Sequence, residues 1–85
     1  MDGLINVGCN NFIAADKLVS VVAPDAAPVR RVVAAAKDSG KLIDATCGRK
    51  TKSVLFMSSD HIILSCIDVC GIESKVQECI DKEKQ

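Results

Sequence analysis

Eighty-five residues leave room for one compact domain and exclude a two-domain enzyme. The chain is 48% hydrophobic, with 23 Ile, Leu and Val but only Phe12 and Phe56 as aromatics, a composition that folds and is unlike that of a disordered chain. Formal net charge is zero, yet it is unevenly laid: residues 1–16 carry two acids and no base, 17–52 eight bases against three acids, and 53–85 six acids against three bases, so a neutral total hides a basic middle.

Leu4-Ile5-Asn6-Val7 is short and β-leaning, and Gly8-Cys9-Asn10-Asn11 supplies turn residues that tolerate positive φ; Phe12-Ile13-Ala14 then returns as a partner strand. Leu18–Val22 is a β-branched run ended by Ala23-Pro24, with Lys17 on a solvent rim at its entrance. Pro28 suits a first helical turn, and Val29, Val32, Val33 and Ala36 follow at the spacing of one helical face, so the main helix is expected over about 27–39, with Ser39-Gly40 as its stop. Leu42–Ala45 is extended again, and Thr46–Lys52 is a polar, basic connection to the strand Ser53–Met57. Ser58–His61 is a turn, after which Ile62–Cys66 returns antiparallel to 53–57. From Gly71, Ile72, Val76, Cys79 and Ile80 share one face of a short C-terminal helix that must dock to persist. The pattern predicts a single α+β domain over 1–85: a small, mostly antiparallel sheet with one main helix and a short C-terminal helix.

A domain of this size hides only about 60–65% of the surface its unfolded chain exposes, so self-association is expected. No apolar run nears the roughly 20 residues of a membrane-spanning helix, and Met1–Asn6 lacks the layout of a signal peptide; the expectation is a cytoplasmic protein without membrane contact. Five cysteines, an odd number, fit that compartment and are expected to be mostly buried thiols instead of a disulfide framework.

The segment Thr46–Lys52 carries the chemistry. Gly48 allows close approach of backbone to a phosphate, Arg49 can grip one bidentately, and Lys50 and Lys52 add point charges to the same strip. The alternative is a solvated turn. A P-loop is excluded because position 43 is Ile where the motif requires Gly. Cys47 lacks a base and an orienting partner, Cys66-x3-Cys70 is not a paired-knuckle spacing for zinc, and the acids are scattered, so no catalytic set, metal site or cofactor is expected. With no Trp or Tyr and only two Phe, both on strand patterns, single strands find no platform for base stacking, and one isolated helix supports no helix-turn-helix; duplex backbone is the better target.

Four segments, Asn6-Val7-Gly8, Val21-Val22-Ala23-Pro24 continuing through Ala27-Pro28 and Arg30-Arg31, Leu42-Ile43-Asp44-Ala45-Thr46 with Gly48-Arg49, and Ser59-Asp60-His61 with Ile63-Leu64-Ser65, stand in order and register and together resemble the RemA family of extracellular-matrix regulators over about residues 4–65. The resemblance implies a bacterial DNA-binding transcriptional regulator that activates biofilm-matrix genes, similar in fold to LytTR-type domains, nucleoid-associated, and assembled as a homo-oligomeric ring with double-stranded DNA on its rim. It assigns DNA contacts to Lys17, Arg49 and Lys50; lysine stands at 17 and 50 where the family has arginine, which keeps charge and loses the bidentate fork. Cys47 replaces an aromatic usual in the family, and the tail after Ser65 shows no match. Pro28 and the helix it opens are the candidate subunit contact, with Arg30 and Arg31 either crossing that interface or touching DNA. A few phosphate contacts per subunit are weak alone, but a ring repeats them, and the bending that wrapping demands favours deformable sequence over a strict base code. The competing reading is an oligomeric scaffold or partner-binding module without nucleic acid.

Overall fold

The computed structural model describes residues 3–83; Met1, Asp2, Lys84 and Gln85, which enter the charge blocks and the 1–85 domain boundary above, lie outside the described residues. Strands β1 (Leu4–Asn6) and β2 (Phe12–Ala14) form an antiparallel hairpin, and a single 3-10 turn, Ala15–Lys17, leads into β3 (Leu18–Val22). Helix α1 (Ala27–Asp38), β4 (Leu42–Asp44), β5 (Ser53–Met57), β6 (Ile62–Ser65) and helix α2 (Val69–Glu83) complete the chain. Every predicted element is present.

The main sheet has the order β3-β5-β6-β4. β5 is antiparallel to both neighbours, whereas β4 lies parallel to β6. Thus β3 and β4 run the same way at opposite edges, and α1 carries the chain across one face between them. A parallel pair needs such a crossover, since a tight turn reverses direction.

Alternation along the strands sends side chains to two cores, because successive residues of a strand face opposite ways. Val54 and Phe56 of β5, with Ile62 and Leu64 of β6, meet Val29, Val33 and Ala36 of α1. Leu55 and Met57, with Ile63, face the opposite layer, where Ile5, Val7 and Ile13 of the hairpin and Ile72 of α2 close the larger core. The helix therefore lies on one face of the sheet, and the hairpin with α2 covers the other.

Several expectations are corrected. α2 starts at Val69, so Gly71 sits within its first turn, and it is 15 residues long; Ile72 is fully buried and Val76 and Cys79 pack on the larger core, which is what lets the helix persist. Val32 is 40% exposed because the sheet meets only the Val29–Val33–Ala36 side of α1. Phe12 is 55% exposed on the outer face of the hairpin, so one surface aromatic exists after all. None of the five thiols is buried: Cys9, Cys66 and Cys79 are half-buried, and Cys47 and Cys70 exposed, because they occupy turns and flanks while aliphatic side chains fill both cores.

The edges of the main sheet are apolar. Val19 is the extra residue of a bulge between Leu18 and Ser20 on β3 and is 67% exposed; Ile43 on β4 is 46% exposed. Among the described residues, no helix is long and apolar enough to cross a membrane.

Candidate nucleic-acid interface

The basic segment between β4 and β5 is pinned at both ends. Asp44 accepts hydrogen bonds from the Thr46 hydroxyl and from the Thr46 amide at 2.9 Å. The hydroxyl, and after it the amide, hold the Asp44 carboxyl below its ordinary range, since both stabilise the charged form. Thr46 is thereby buried at the start of a loop whose cations are exposed. The Arg49 amide donates to the Thr46 carbonyl at 3.0 Å, and Cys47 and Gly48 have φ of 54° and 81°. Positive φ at both central residues of a four-residue turn is the type I′ pattern. At the far end, the Lys52 amide donates to the Ser65 carbonyl at 2.8 Å, which feeds the chain into β5.

Arg49, Lys50 and Lys52 are therefore exposed on a loop of defined shape. The side-chain hydrogen bonds among the described residues engage none of the three, leaving their donors available to an anion. Gly48 has nothing within 4 Å of where a Cβ would stand; its left-handed φ explains the residue, and the space beside it is open.

The other predicted residues are distributed unequally. Arg30, on the first turns of α1, lines a shallow groove of about 270 Å³ with Thr51, Val54 and Leu64, which places it beside the basic loop. Pro28 and Arg31 are exposed on the same helix. Lys17 is exposed at the opposite end of the sheet: its carbonyl accepts from the Ser58 amide at 2.7 Å, just past the end of β5 that lies furthest from Lys52. Six residue steps along a strand separate the two ends, roughly 20 Å. The fold thus brings Arg30, Arg49, Lys50 and Lys52 to one end and leaves Lys17 at the other.

Two positioning residues escape a reading of the sequence. The Asp44-x-Thr46 spacing is a recognisable side-chain turn signal that explains the rigid loop start. Ser65 has no such signal: it is fully buried, donates to the Val7 carbonyl at 2.7 Å and accepts from the Ile67 amide at 3.0 Å, tying hairpin, sheet and α2 together beneath the loop.

Comparison with known proteins gives the family of the chain. A family profile described as RemA-like, extracellular matrix regulatory protein A-like, matches residues 4–76. The match runs past Ser65, where the sequence resemblance stops, and takes in the docked first half of α2. A proposed regulatory protein of Synechococcus elongatus is 53% identical over 73 residues, covering 86% of this chain and 84% of the relative. Proposed regulatory proteins of Fervidobacterium nodosum and Bacillus pumilus are 48% identical over 86 residues and 50% identical over 82, covering 100% and 93% of this chain and 92% of each relative. With its hairpin, sheet, both helices up to residue 76 and the basic loop all inside the matched region, the chain belongs to the RemA-like family.

Proposed function

We propose that this protein is a homo-oligomeric transcriptional regulator that binds duplex DNA and activates extracellular-matrix genes, with the Arg49–Lys52 loop as its phosphate-contacting strip. The observation that carries the reading is the strip itself: three exposed cations on a loop pinned at both ends, with Arg30 in the adjoining groove. A loop held rigid before binding loses less conformational entropy when it grips a phosphate. The reading involves no catalytic step, metal or cofactor.

Assembly supplies what one protomer lacks. A duplex contact by three or four cations is weak and strongly screened by salt, and repetition of the contact in an oligomer raises it through effective concentration. The apolar edges at Val19 and Ile43 are unlike surfaces on opposite sides of the sheet, and joining unlike surfaces head to tail closes a ring when the rotation permits. Pro28, Arg30 and Arg31 on α1 are the further candidates for that interface. Lys17, roughly 20 Å from the loop within a protomer, is the further candidate for a duplex contact in the assembly.

The test is the solution mass of the protein with and without a duplex fragment, together with the affinity over a salt series. The expected outcome is an oligomer whose duplex affinity falls steeply with salt, and an Arg49→Ala variant of unchanged size that no longer shifts the duplex. An oligomer indifferent to duplex at low salt supports the scaffold reading instead, and normal binding by Arg49→Ala removes the role given to the loop.

A further inference from the structure

Three cysteines far apart in sequence converge beside the basic loop. The Gly8–Asn11 turn is also of the type I′ pattern: the Asn11 amide donates to the Gly8 carbonyl at 2.9 Å, and Cys9 and Asn10 have φ of 51° and 62°. It faces the Thr46–Arg49 turn, and each turn has cysteine as its first central residue. The Cys9 thiol donates to the Thr46 carbonyl at 3.8 Å, a contact across 37 residues of sequence. Cys66 stands behind the first turn, its Sγ only 2.7 Å from where a Cβ on Gly8 would lie. Cys47 follows Thr46 directly, and its side chain beside the Cys9 thiol is the main reason that the Cys9 pKa is raised; partial burial adds to the rise, and Arg49 and Cys66 oppose it. Among the described residues, no three ligating groups are placed to hold a metal ion.

We propose that Cys9 and Cys47 are a modification site, a reversible disulfide that staples the Gly8–Asn11 turn to the Thr46–Arg49 turn and regulates the basic strip. Cys47 is exposed and is the thiol a solvent oxidant reaches first; Cys9, half-buried against the carbonyl of the preceding Thr46, resolves the product. The oxidant is a hydroperoxide. With hydrogen peroxide, the Cys47 thiolate attacks one oxygen, the O–O bond breaks, and hydroxide leaves to take up the proton lost from the thiol, forming water and a sulfenic acid. The Cys9 sulfur then attacks the Cys47 sulfur, the S–O bond breaks, and a second water leaves with the Cys9 proton. Two thiols are oxidised by two electrons and one peroxide is reduced to two waters. A small-molecule thiol reverses the bond by exchange.

The consequence for DNA rests on the function proposed above. An S–S bond of about 2 Å is shorter than any contact between unbonded sulfurs, so closing it draws the two turns together. Arg49 is two residues from Cys47 and its amide closes the same turn, so its side chain is re-aimed in every protomer of the assembly and the loss repeats at each contact.

Peptide mapping of the peroxide-treated full chain, with free thiols alkylated before trypsin digestion, tests the bond. Cleavage at lysine and arginine leaves Cys9 in 1–17, Cys47 in 42–49 and both Cys66 and Cys70 in 53–75, so the proposed pairing is distinguishable from any that uses Cys66 or Cys70. The expected product links 1–17 to 42–49, is absent from Cys9→Ser and Cys47→Ser, and persists in Cys70→Ser. No link, or a link from 1–17 to 53–75 in its place, overturns the site. Duplex affinity of the oxidised protein is expected to fall about tenfold and recover with dithiothreitol, while Cys47→Ser ignores peroxide. A complete Cys9–Cys47 link with unchanged affinity overturns the regulatory role. A reduced protein that ignores duplex defeats the DNA-binding reading alone, and the peptide map still decides the disulfide.

Discussion

Ser65→Ala is expected to weaken the fold far more than the loss of one hydroxyl suggests. The Ser65 hydroxyl is fully buried, donates to the Val7 carbonyl and accepts from the Ile67 amide, at 2.7 and 3.0 Å. Alanine fills almost the same space but leaves two backbone groups without partners. An unsatisfied buried polar group costs about 1–3 kcal/mol, so the expected loss is about 2–4 kcal/mol. For a domain of this length that lowers Tm by roughly 10–25 °C. Ser53 supplies an internal scale: it pairs with Ser65 across β5 and β6, is also fully buried, and makes one bond, from its hydroxyl to the Ile67 carbonyl at 2.6 Å. Ser53→Ala should therefore cost about half as much, and because both serines hold Ile67, the double variant should fall short of additivity. Circular-dichroism melts and urea titrations at one fixed protomer concentration measure this without interference from association. A Ser65→Ala protein within about 0.5 kcal/mol of the parent, or a Ser53→Ala protein less stable than Ser65→Ala, refutes the reasoning.

Two further predictions address the turns that frame the site. Gly8→Ala should destabilise the protein by about 2 kcal/mol or more, because the new Cβ meets both a φ of +110° and the Cys66 Sγ at 2.7 Å. Adding Cys66→Ala should recover only the steric part, and full recovery in denaturant titrations would show that backbone strain is irrelevant there. Asp44 has a depressed folded pKa, so its carboxylate stabilises the protein above the unfolded value of about 3.9, and that stabilisation is lost as pH falls through the folded value. Melts of the parent and Asp44→Asn from neutral to acid pH should show the parent more stable at neutrality and the gap closing in acid; a gap that widens in acid contradicts the assignment.

Much of the fold and part of the site are legible in the residues themselves. Turn chemistry at Gly8–Asn11, the spacing Val29–Val33–Ala36 behind Pro28, and the β-branched runs at 18–22, 53–57 and 62–65 are local signals, because steric and hydrogen-bonding preferences act over a few residues. The same holds for the charge of the Arg49–Lys52 loop. Exposure is a different matter: Val32 has the right spacing to be core, yet the sheet meets only the Val29–Val33–Ala36 side of the helix, and Phe12 has a strand pattern but lies on the uncovered face of its hairpin.

What composition and periodicity determined, then, was the set of elements and the cationic character of one connection. The strand order decided the rest: it laid β4 parallel beside β6, separated Lys17 from the loop cations by the length of β5, set Arg30 beside Thr51, and brought Cys9, Cys47 and Cys66 to one corner. A strand's sequence records which of its faces is apolar, but a neighbour is chosen by the summed burial and hydrogen bonding of the whole sheet. That sum exists only once the chain has closed on itself.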